Sequence, residues 1–130
     1  MLTYVSRLNA LAELYENKHV KFFYVFSDPR ETESEIIGFV NYRHISFPVL
    51  YDKDQVLARL FDATAMTQTI LIDAKGAFRY RGRIDDSPFE PDLVKDYTLK
   101  VCIDALLRHQ PLPTTSTRVF SCPLPRLQSR

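Results

Sequence analysis

The fold is decided by residues 63–86, which read ATAMTQTILIDAKGAFRYRGRIDD. This stretch begins as a polar loop, continues as an apolar strand from Gln68 to Asp73, and turns at Ala74-Lys75-Gly76. It returns as a second strand from Ala77 to Ile84. Because glycine tolerates the positive φ that a short connection often needs, Gly76 favours a β-hairpin.

The two strands of this hairpin differ in their apolar patterns. The return strand alternates two classes of side chain, Phe78, Tyr80 and Ile84 against Arg79, Arg81 and Arg83. Period-two alternation predicts that the apolar set is buried and the arginines face water. The first strand, Thr69–Ile72, is apolar on both faces, as is typical of a strand covered on both sides. We interpret the arginine row as a solvated face that protects a sheet edge, with a site for an anionic partner as the alternative.

The overall composition is that of an ordinary globular domain. The chain has 130 residues, of which 45% are hydrophobic and 25% charged, and a formal net charge of +1. This charge gives no reason to expect nucleic acid or an anionic membrane as a partner. No apolar run could span a bilayer, and Met1 is not followed by a signal-peptide pattern. We therefore expect a cytoplasmic location for these residues, and a periplasmic or extracytoplasmic one stays open for a longer gene product.

The potential metal ligands are sparse. The two cysteines, Cys102 and Cys122, are too few and too far apart for a disulfide framework or a zinc site. The three histidines show no metal-ligand spacing: His19, His44 and His109. Asp85-Asp86 is interpreted as a turn, because no third carboxylate has suitable spacing. No transition-metal cofactor is indicated.

Helical and strand patterns alternate along the rest of the chain. The patterns predict helices over residues 1–16, 32–40, 52–61 and 91–109, and extended segments over residues 19–26 and 45–51. Thr32 to Glu35 has capping-box spacing, Asp52 to Asp54 is expected to cap the third helix, and Pro91 suits a first helical turn. Pro48 places the second extended segment at a sheet edge or in a connection. This order predicts an α/β fold with one parallel crossover and one antiparallel return.

Two of the predicted helices carry apolar residues at helical spacing. In the third helix we expect Val56, Leu57 and Leu60 to face inward. In the last helix the predicted buried stripe consists of Val94, Tyr97, Val101 and Ala105. Cys102 lies within that helix and is interpreted as a buried, inert thiol.

Several segments, in this order, resemble the thioredoxin-like redoxins, which comprise thiol–disulfide oxidoreductases and peroxiredoxin-type antioxidant enzymes. These segments are Arg7–Leu11, Val25–Asp28, Ile45–Asp52, Ala63-Thr64, Ile72–Gly76 and Tyr80–Asp86. Cys122-Pro123-Leu124 resembles the Gly-Cys-Pro-Ile ending of one bacterial branch, with Ser121 in place of glycine. The resemblance implies a thioredoxin-like α/β domain over residues 1–110, a mixed sheet flanked by helices, followed by a Pro/Thr/Ser-rich tail over residues 111–130.

The resemblance also implies an element that these residues lack. In the family, a strand ending in the attacking cysteine, as Cys-Pro or Cys-x-x-Cys, precedes the first helix. We expect that strand and cysteine upstream of Met1, whether the chain is truncated or its start miscalled. The strand would lie between Lys21–Phe26 and Thr69–Asp73. Those two strands would close up or receive a strand from a second copy or another polypeptide, because buried backbone groups need partners.

The candidate site residues follow from the same resemblance. Met66 and Thr67 occupy the loop that faces the attacking cysteine, where the family usually has Thr-Pro with a cis peptide. A cis bond before a non-proline residue costs ~2.5–4 kcal/mol, so we expect this loop to be trans or rearranged. Cys122 is a candidate resolving thiol, with a plain tail cysteine as the alternative.

The implied function is thiol–disulfide exchange or peroxide reduction. The implied partners are protein thiols, protein disulfides or a peroxide, and no bound cofactor is needed. Without the attacking cysteine, we expect this chain alone to be inactive or severely impaired. The alternative is a non-enzymatic thioredoxin-like module that binds a partner, or forms a homodimer, through its open sheet.

Overall fold

A computed structural model describes residues 4–119 and 121–127. The helices are α1 (Val5–Leu14), α2 (Glu33–Arg43), α3 (Val56–Leu60) and α4 (Thr98–Leu107), and the strands are β1 (Tyr24–Phe26), β2 (Val49–Tyr51), β3 (Thr69–Ile72) and β4 (Phe78–Gly82). This order confirms the mixed α/β class. The described residues divide into two compact units, one of residues 4–64 and 123–127 and the other of residues 65–119 and 121–122.

In the first unit, β1 and β2 form a parallel pair joined by the crossover helix α2. Tyr24 aligns with Val49 and Phe26 with Tyr51. Among the residues described, no strand other than β1 pairs with β2, so β2 lies at a sheet edge. Val5, Tyr24, Phe26 and Ile36 are the buried residues of the core here. The Tyr24 and Phe26 rings stack with their centroids 4.6 Å apart. The predicted strand over residues 19–26 is shortened to Tyr24–Phe26, because β2 offers only three residues for pairing.

Local capping fixes the start of α2. The Thr32 hydroxyl oxygen accepts a hydrogen bond from the Glu35 backbone N–H at 3.2 Å, and the hydroxyl donates to Glu35 Oε1 at 3.0 Å. The predicted capping residue is therefore confirmed. The Asn9 side chain on α1 bonds the His44 carbonyl and the Ser46 N–H, both at 3.0 Å, which ties α1 to the chain that follows α2.

Residues 69–82 of the second unit form the predicted antiparallel hairpin. Thr69 pairs with Gly82 and Leu71 with Tyr80, with a bulge between Leu71 and Ile72. The turn is closed by Asp73, whose Oδ1 accepts the backbone N–H groups of Lys75 at 2.9 Å and Ala77 at 3.0 Å. Gly76 has φ +84°, the conformation for which glycine was expected.

The burial pattern of the hairpin departs from the alternation in the sequence. Tyr80 and Ile84 are buried, but Phe78 is 50% exposed, and the three arginines of the row, Arg79, Arg81 and Arg83, are half-buried. The tail covers the outer edge of β4: the Arg81 N–H donates to the Thr115 carbonyl, and the Thr117 N–H donates to the Arg81 carbonyl, both at 3.0 Å. The arginine row is therefore not the freely solvated edge that was predicted. β3 is only partly covered, and its Ile72 is 39% exposed.

The last helix is shorter than predicted and buries a different face. Pro91 starts only a 3₁₀ turn, and α4 begins at Thr98. Asp86 Oδ1, nine and ten residues earlier in the chain, accepts the N–H groups of Lys95 and Asp96, which keeps these residues out of the helix. Four of the residues that face inward are Leu99, Cys102, Ile103 and Ala105. Of the predicted stripe only Ala105 is buried, whereas Tyr97 is 54% and Val101 45% exposed.

The predicted inward face of α3 is wrong at two of its three residues, whereas Leu57 is half-buried. Val56 and Leu60 are 58% and 64% exposed, and the buried residue is Ala58. The Asp52 carboxylate binds the backbone N–H groups of Leu57 and Ala58, as its predicted capping role requires. This anchor fixes the rotation of a helix of five residues and turns Ala58 inward.

Candidate functional site

The Met66–Thr67 loop and Cys122 contact each other directly. The Met66 N–H donates a hydrogen bond to the Cys122 carbonyl at 2.9 Å, and the Thr67 N–H lies 3.3 Å from the Ser121 hydroxyl oxygen that accepts it. The Met66–Thr67 peptide is trans, as are all the described peptide bonds. The structure thus brings together the loop and the cysteine that the sequence singled out separately.

The two cysteines have opposite environments. Cys122 is exposed, whereas Cys102 is fully buried in α4 with its Sγ 3.7 Å from the Thr114 carbonyl oxygen. Burial raises the pKa of the Cys102 thiol, which disfavours the reactive thiolate. Burial therefore explains why Cys102 is interpreted as an inert thiol. The exposed thiol of Cys122 is able to react with external partners.

The segment that follows Cys122, residues 123–127, is held by hydrogen bonds to other residues of the first unit. The Leu124 N–H donates to the Thr64 carbonyl at 2.9 Å, and Arg126 Nη2 donates to the Ala63 carbonyl at 2.6 Å. The Leu124 side chain is buried. Residues 123–127 are therefore docked, although they form no helix or strand.

Gln55 is the main polar anchor of this docked segment. Its Nε2 donates to the carbonyls of Ser27 at 2.8 Å and Pro125 at 2.6 Å, and its Oε1 accepts the Leu127 N–H at 2.9 Å. The side chain is only 1% exposed, and the backbone has φ +56°. Sequence reasoning missed this residue, because a glutamine within the predicted helix over residues 52–61, outside its apolar set, gives no signal.

Acidic groups near the end of β1 are held as structural anions. Asp52 Oδ2 accepts the Ser27 hydroxyl at 2.8 Å and the Ala58 N–H at 2.9 Å, and Oδ1 accepts the Leu57 N–H at 3.0 Å. Burial acts to raise the pKa of Asp52, but these hydrogen bonds outweigh it and the pKa lies below its ordinary value. The side-chain hydrogen bond from Arg30 likewise lowers the pKa of Asp28.

The charged groups of the hairpin are engaged with neighbours in their own unit. Arg79 lies 3.3 Å from an Asp73 carboxylate oxygen, and Arg83 lies 3.0 Å from Asp96. Asp85 Oδ1 accepts the Ser87 N–H at 2.9 Å, which is a turn contact. Within residues 4–119 and 121–127, no three His, Cys, Asp or Glu side chains are grouped to hold a metal ion. None of the helices described is long and apolar enough to cross a membrane.

The family model for redoxins, described as Redoxin, matches residues 2–97. The chain belongs to the redoxin family. This match confirms the resemblance seen in the sequence and the thioredoxin-like fold, and it places the redoxin chain in the thioredoxin-like oxidoreductase lineage.

Two solved structures resemble this redoxin closely. An uncharacterized conserved protein from Geobacillus kaustophilus is 26% identical, with a TM-score of 0.87 over 98% of this chain and 71% of that one. A hypothetical protein from Sinorhizobium meliloti is 24% identical, with a TM-score of 0.83 over 98% of this chain and 73% of that one. The second likeness shows the fold alone. No curated protein matches the redoxin chain.

Proposed function

We propose that this redoxin takes part in thiol–disulfide exchange or peroxide reduction, with Cys122 as the resolving thiol for an attacking cysteine outside the 130 residues. In the peroxide reaction, the attacking thiol reduces the peroxide and becomes a sulfenic acid while water or an alcohol leaves. The Cys122 thiol then attacks this sulfur, an S–S bond forms, and the sulfenic oxygen leaves as water. An external thiol donor reduces the disulfide and closes the cycle.

The observation that carries this proposal is the hydrogen bond between the Met66 N–H and the Cys122 carbonyl. By resemblance, the Met66–Thr67 loop is the one that faces the attacking cysteine in redoxins. A thiol held next to this loop is within reach of that cysteine. The exposure of Cys122 supports the same role, because a resolving thiol must be accessible.

The test is non-reducing peptide mapping of the protein produced from its own chromosomal locus after mild peroxide treatment. We expect Cys122 in a disulfide with a cysteine that lies in a Cys-Pro or Cys-x-x-Cys motif. A Cys122→Ser strain serves as the control and should accumulate the sulfenic acid instead. Recovery of Cys122 only as a free thiol, under conditions that oxidise the motif cysteine, contradicts the proposal.

The 130-residue chain alone is proposed to lack turnover. Its buried Cys102 and exposed Cys122 do not form a reactive pair. Insulin reduction with dithiothreitol and peroxide consumption with a thiol donor should both equal the rates of the Cys102→Ala/Cys122→Ser double variant. Turnover that requires Cys122 would instead assign the attacking role to Cys122 itself.

A binding or self-association module is the second candidate, favoured by the open edge of β1. The backbone groups of Tyr24 and Phe26 point to the side of β1 on which β2 lies. The Tyr24 N–H donates to the Pro48 carbonyl at 2.9 Å, and the Phe26 carbonyl accepts the Asp52 N–H at 2.8 Å. The N–H and C=O of Val25 therefore point to the opposite side, where no strand pairs with β1 among the residues described. Such an edge can accept a strand from a second copy.

Sedimentation equilibrium tests this second candidate. Val25→Pro removes the N–H at the open edge and should convert a dimer to a monomer, whereas Val25→Thr keeps the N–H and should remain dimeric. Circular dichroism verifies that both variants are folded. A wild-type chain that stays monomeric up to millimolar concentration contradicts self-association through β1.

A further inference from the structure

We propose that Gln55 is a positioning residue that docks the tail through the peptide backbone of residues 125–127 and thereby restrains Cys122. The inference deepens the proposed function, since the restraint matters for redox chemistry only if Cys122 is the resolving thiol. The docking itself is a physical property of the chain and can be measured without any turnover.

The contact has the pattern of a strand pairing. The Gln55 amide donates to the Pro125 carbonyl at 2.6 Å and accepts from the Leu127 N–H at 2.9 Å, so one side chain satisfies two backbone groups two residues apart. The third bond, to the Ser27 carbonyl at 2.8 Å, fixes the orientation of the amide. The Ser27 and Pro125 carbonyls need the NH2 group of the amide, and the Leu127 N–H needs its oxygen. Only one of the two orientations of the Gln55 amide therefore satisfies all three partners.

Burial makes this contact difficult to exchange for water. Gln55 is 1% exposed, and a buried amide that loses its partners is strongly disfavoured. Gln55 also has φ +56°, which is uncommon for a residue with a Cβ. A glycine would fit this backbone better, which indicates that the side chain has a role for which the conformation is retained.

Two neighbouring contacts extend the docking site. The Leu124 N–H bonds the Thr64 carbonyl and the Arg126 guanidinium bonds the Ala63 carbonyl, so consecutive parts of the tail are fixed against residues 63–64. The Leu124 side chain adds buried apolar area. Most of these contacts use the tail backbone, so the site recognises an extended segment more than a particular sequence.

The consequence for Cys122 follows from chain length. Only two residues separate Cys122 from Pro125, and an extended residue spans at most about 3.6 Å. A docked segment at residues 124–127 therefore restricts the thiol to a small volume. An undocked tail would leave Cys122 held by its hydrogen bond to Met66 without this restraint, which lowers the effective concentration of the thiol at its target and makes the already exposed thiol more open to unrelated reagents.

The main test variant is Gln55→Gly, which removes the amide and keeps the positive φ without strain. His44→Gly is its matched control, since His44 has φ +53° and an exposed side chain. Leu127→Pro removes the N–H that Gln55 accepts and also restricts the backbone of Arg126, whereas Leu127→Ala keeps the N–H. Two quantities are measured in each variant: hydrogen exchange of the Leu124 amide, and the rate at which iodoacetamide alkylates Cys122, resolved by peptide mass spectrometry.

Loss of two hydrogen bonds should lower the docked fraction of the tail, and we expect exchange at Leu124 to accelerate roughly tenfold in Gln55→Gly and severalfold in Leu127→Pro. Alkylation of Cys122 should rise in parallel, and the two control variants should match the wild type. Unchanged exchange in both test variants overturns the docking. Faster exchange with unchanged alkylation overturns the restraint on Cys122. Neither result depends on whether Cys122 forms a disulfide in the cell. Failure of the docking proposal can therefore be told apart from failure of the proposed function.

Discussion

Gly82 and Thr117 approach so closely that no Cβ fits between them. A Cβ built on Gly82 would contact Thr117 Oγ1 and lie 2.7 Å from the Thr117 carbonyl oxygen and 2.8 Å from its nitrogen. Gly82 also has φ +152°, which L side chains rarely adopt. The end of β4 and the tail can therefore pair only because residue 82 is glycine.

Gly82→Ala is expected to destabilise the protein by about 2–4 kcal/mol, because the strained backbone and the clash with the Thr117 backbone add together. Urea unfolding followed by circular dichroism measures the change. Gly38→Ala is the matched control, since Gly38 lies within α2 with nothing within 4 Å of the added methyl. This control should stabilise by up to about 1 kcal/mol, because alanine is the better helix former. Equal stability of the two variants would contradict the close approach.

Tyr80 links β4 to the tail through its hydroxyl group. Its Oη donates to the Arg83 carbonyl at 2.6 Å and lies 2.7 Å from Thr117 Oγ1, and the residue is 1% exposed. Tyr80→Phe should cost about 1–2 kcal/mol, since the partly buried Arg83 carbonyl and Thr117 hydroxyl lose a partner. Tyr42→Phe, at a residue 77% exposed, should change stability by less than about 0.5 kcal/mol. Thermal unfolding of both variants decides between these outcomes.

Ionisation of the Asp52 carboxylate is expected to make the free energy of unfolding depend on pH. Its pKa in the folded state is lowered, so the folded state favours the ionised form. The contribution is present above the unfolded pKa of about 3.9 and is lost as pH falls through the lower folded value. Asp52→Asn should cost about 1–3 kcal/mol at pH 7 and flatten the dependence of unfolding free energy on pH below about 4. Denaturant titrations of the wild type and the variant at about pH 2.5–7 measure this dependence.

Asp54→Asn, at an exposed position in the same loop, is the control for this pH effect. It should leave the free energy of unfolding unchanged within about 0.5 kcal/mol. A pH profile of Asp52→Asn that runs parallel to the wild-type profile would mean that Asp52 is not the ionised cap of α3.

The two thiols should differ in reactivity and in structural importance. With 5,5′-dithiobis(2-nitrobenzoate), the native chain should release one equivalent of thionitrobenzoate rapidly, from Cys122, and a second only in denaturant. Cys102→Ala removes a buried sulfur and should destabilise by about 1–2 kcal/mol, whereas Cys122→Ala should be near neutral. Two rapid equivalents from the folded chain would show that α4 does not protect Cys102.

Local signals in the sequence predicted the elements that depend on near neighbours. The turn at Gly76, the Thr32 cap of α2 and the Asp52 cap of α3 each involve contacts within six residues along the chain. The prediction failed where side chains elsewhere compete for the backbone. The start of α4 moved from Pro91 to Thr98 because Asp86 binds the Lys95 and Asp96 amides, and helical periodicity alone cannot reveal that competition.

By itself, the sequence determined the α/β class, the hairpin, the redoxin family and the importance of Met66, Thr67 and Cys122 as residues to examine. Only the tertiary structure decided that the loop and Cys122 are in contact and that Gln55 holds the tail. The Gln55 contacts join residues 70 and 72 positions apart. They bind backbone groups, which every residue carries, so no pattern of side chains in the sequence marks them.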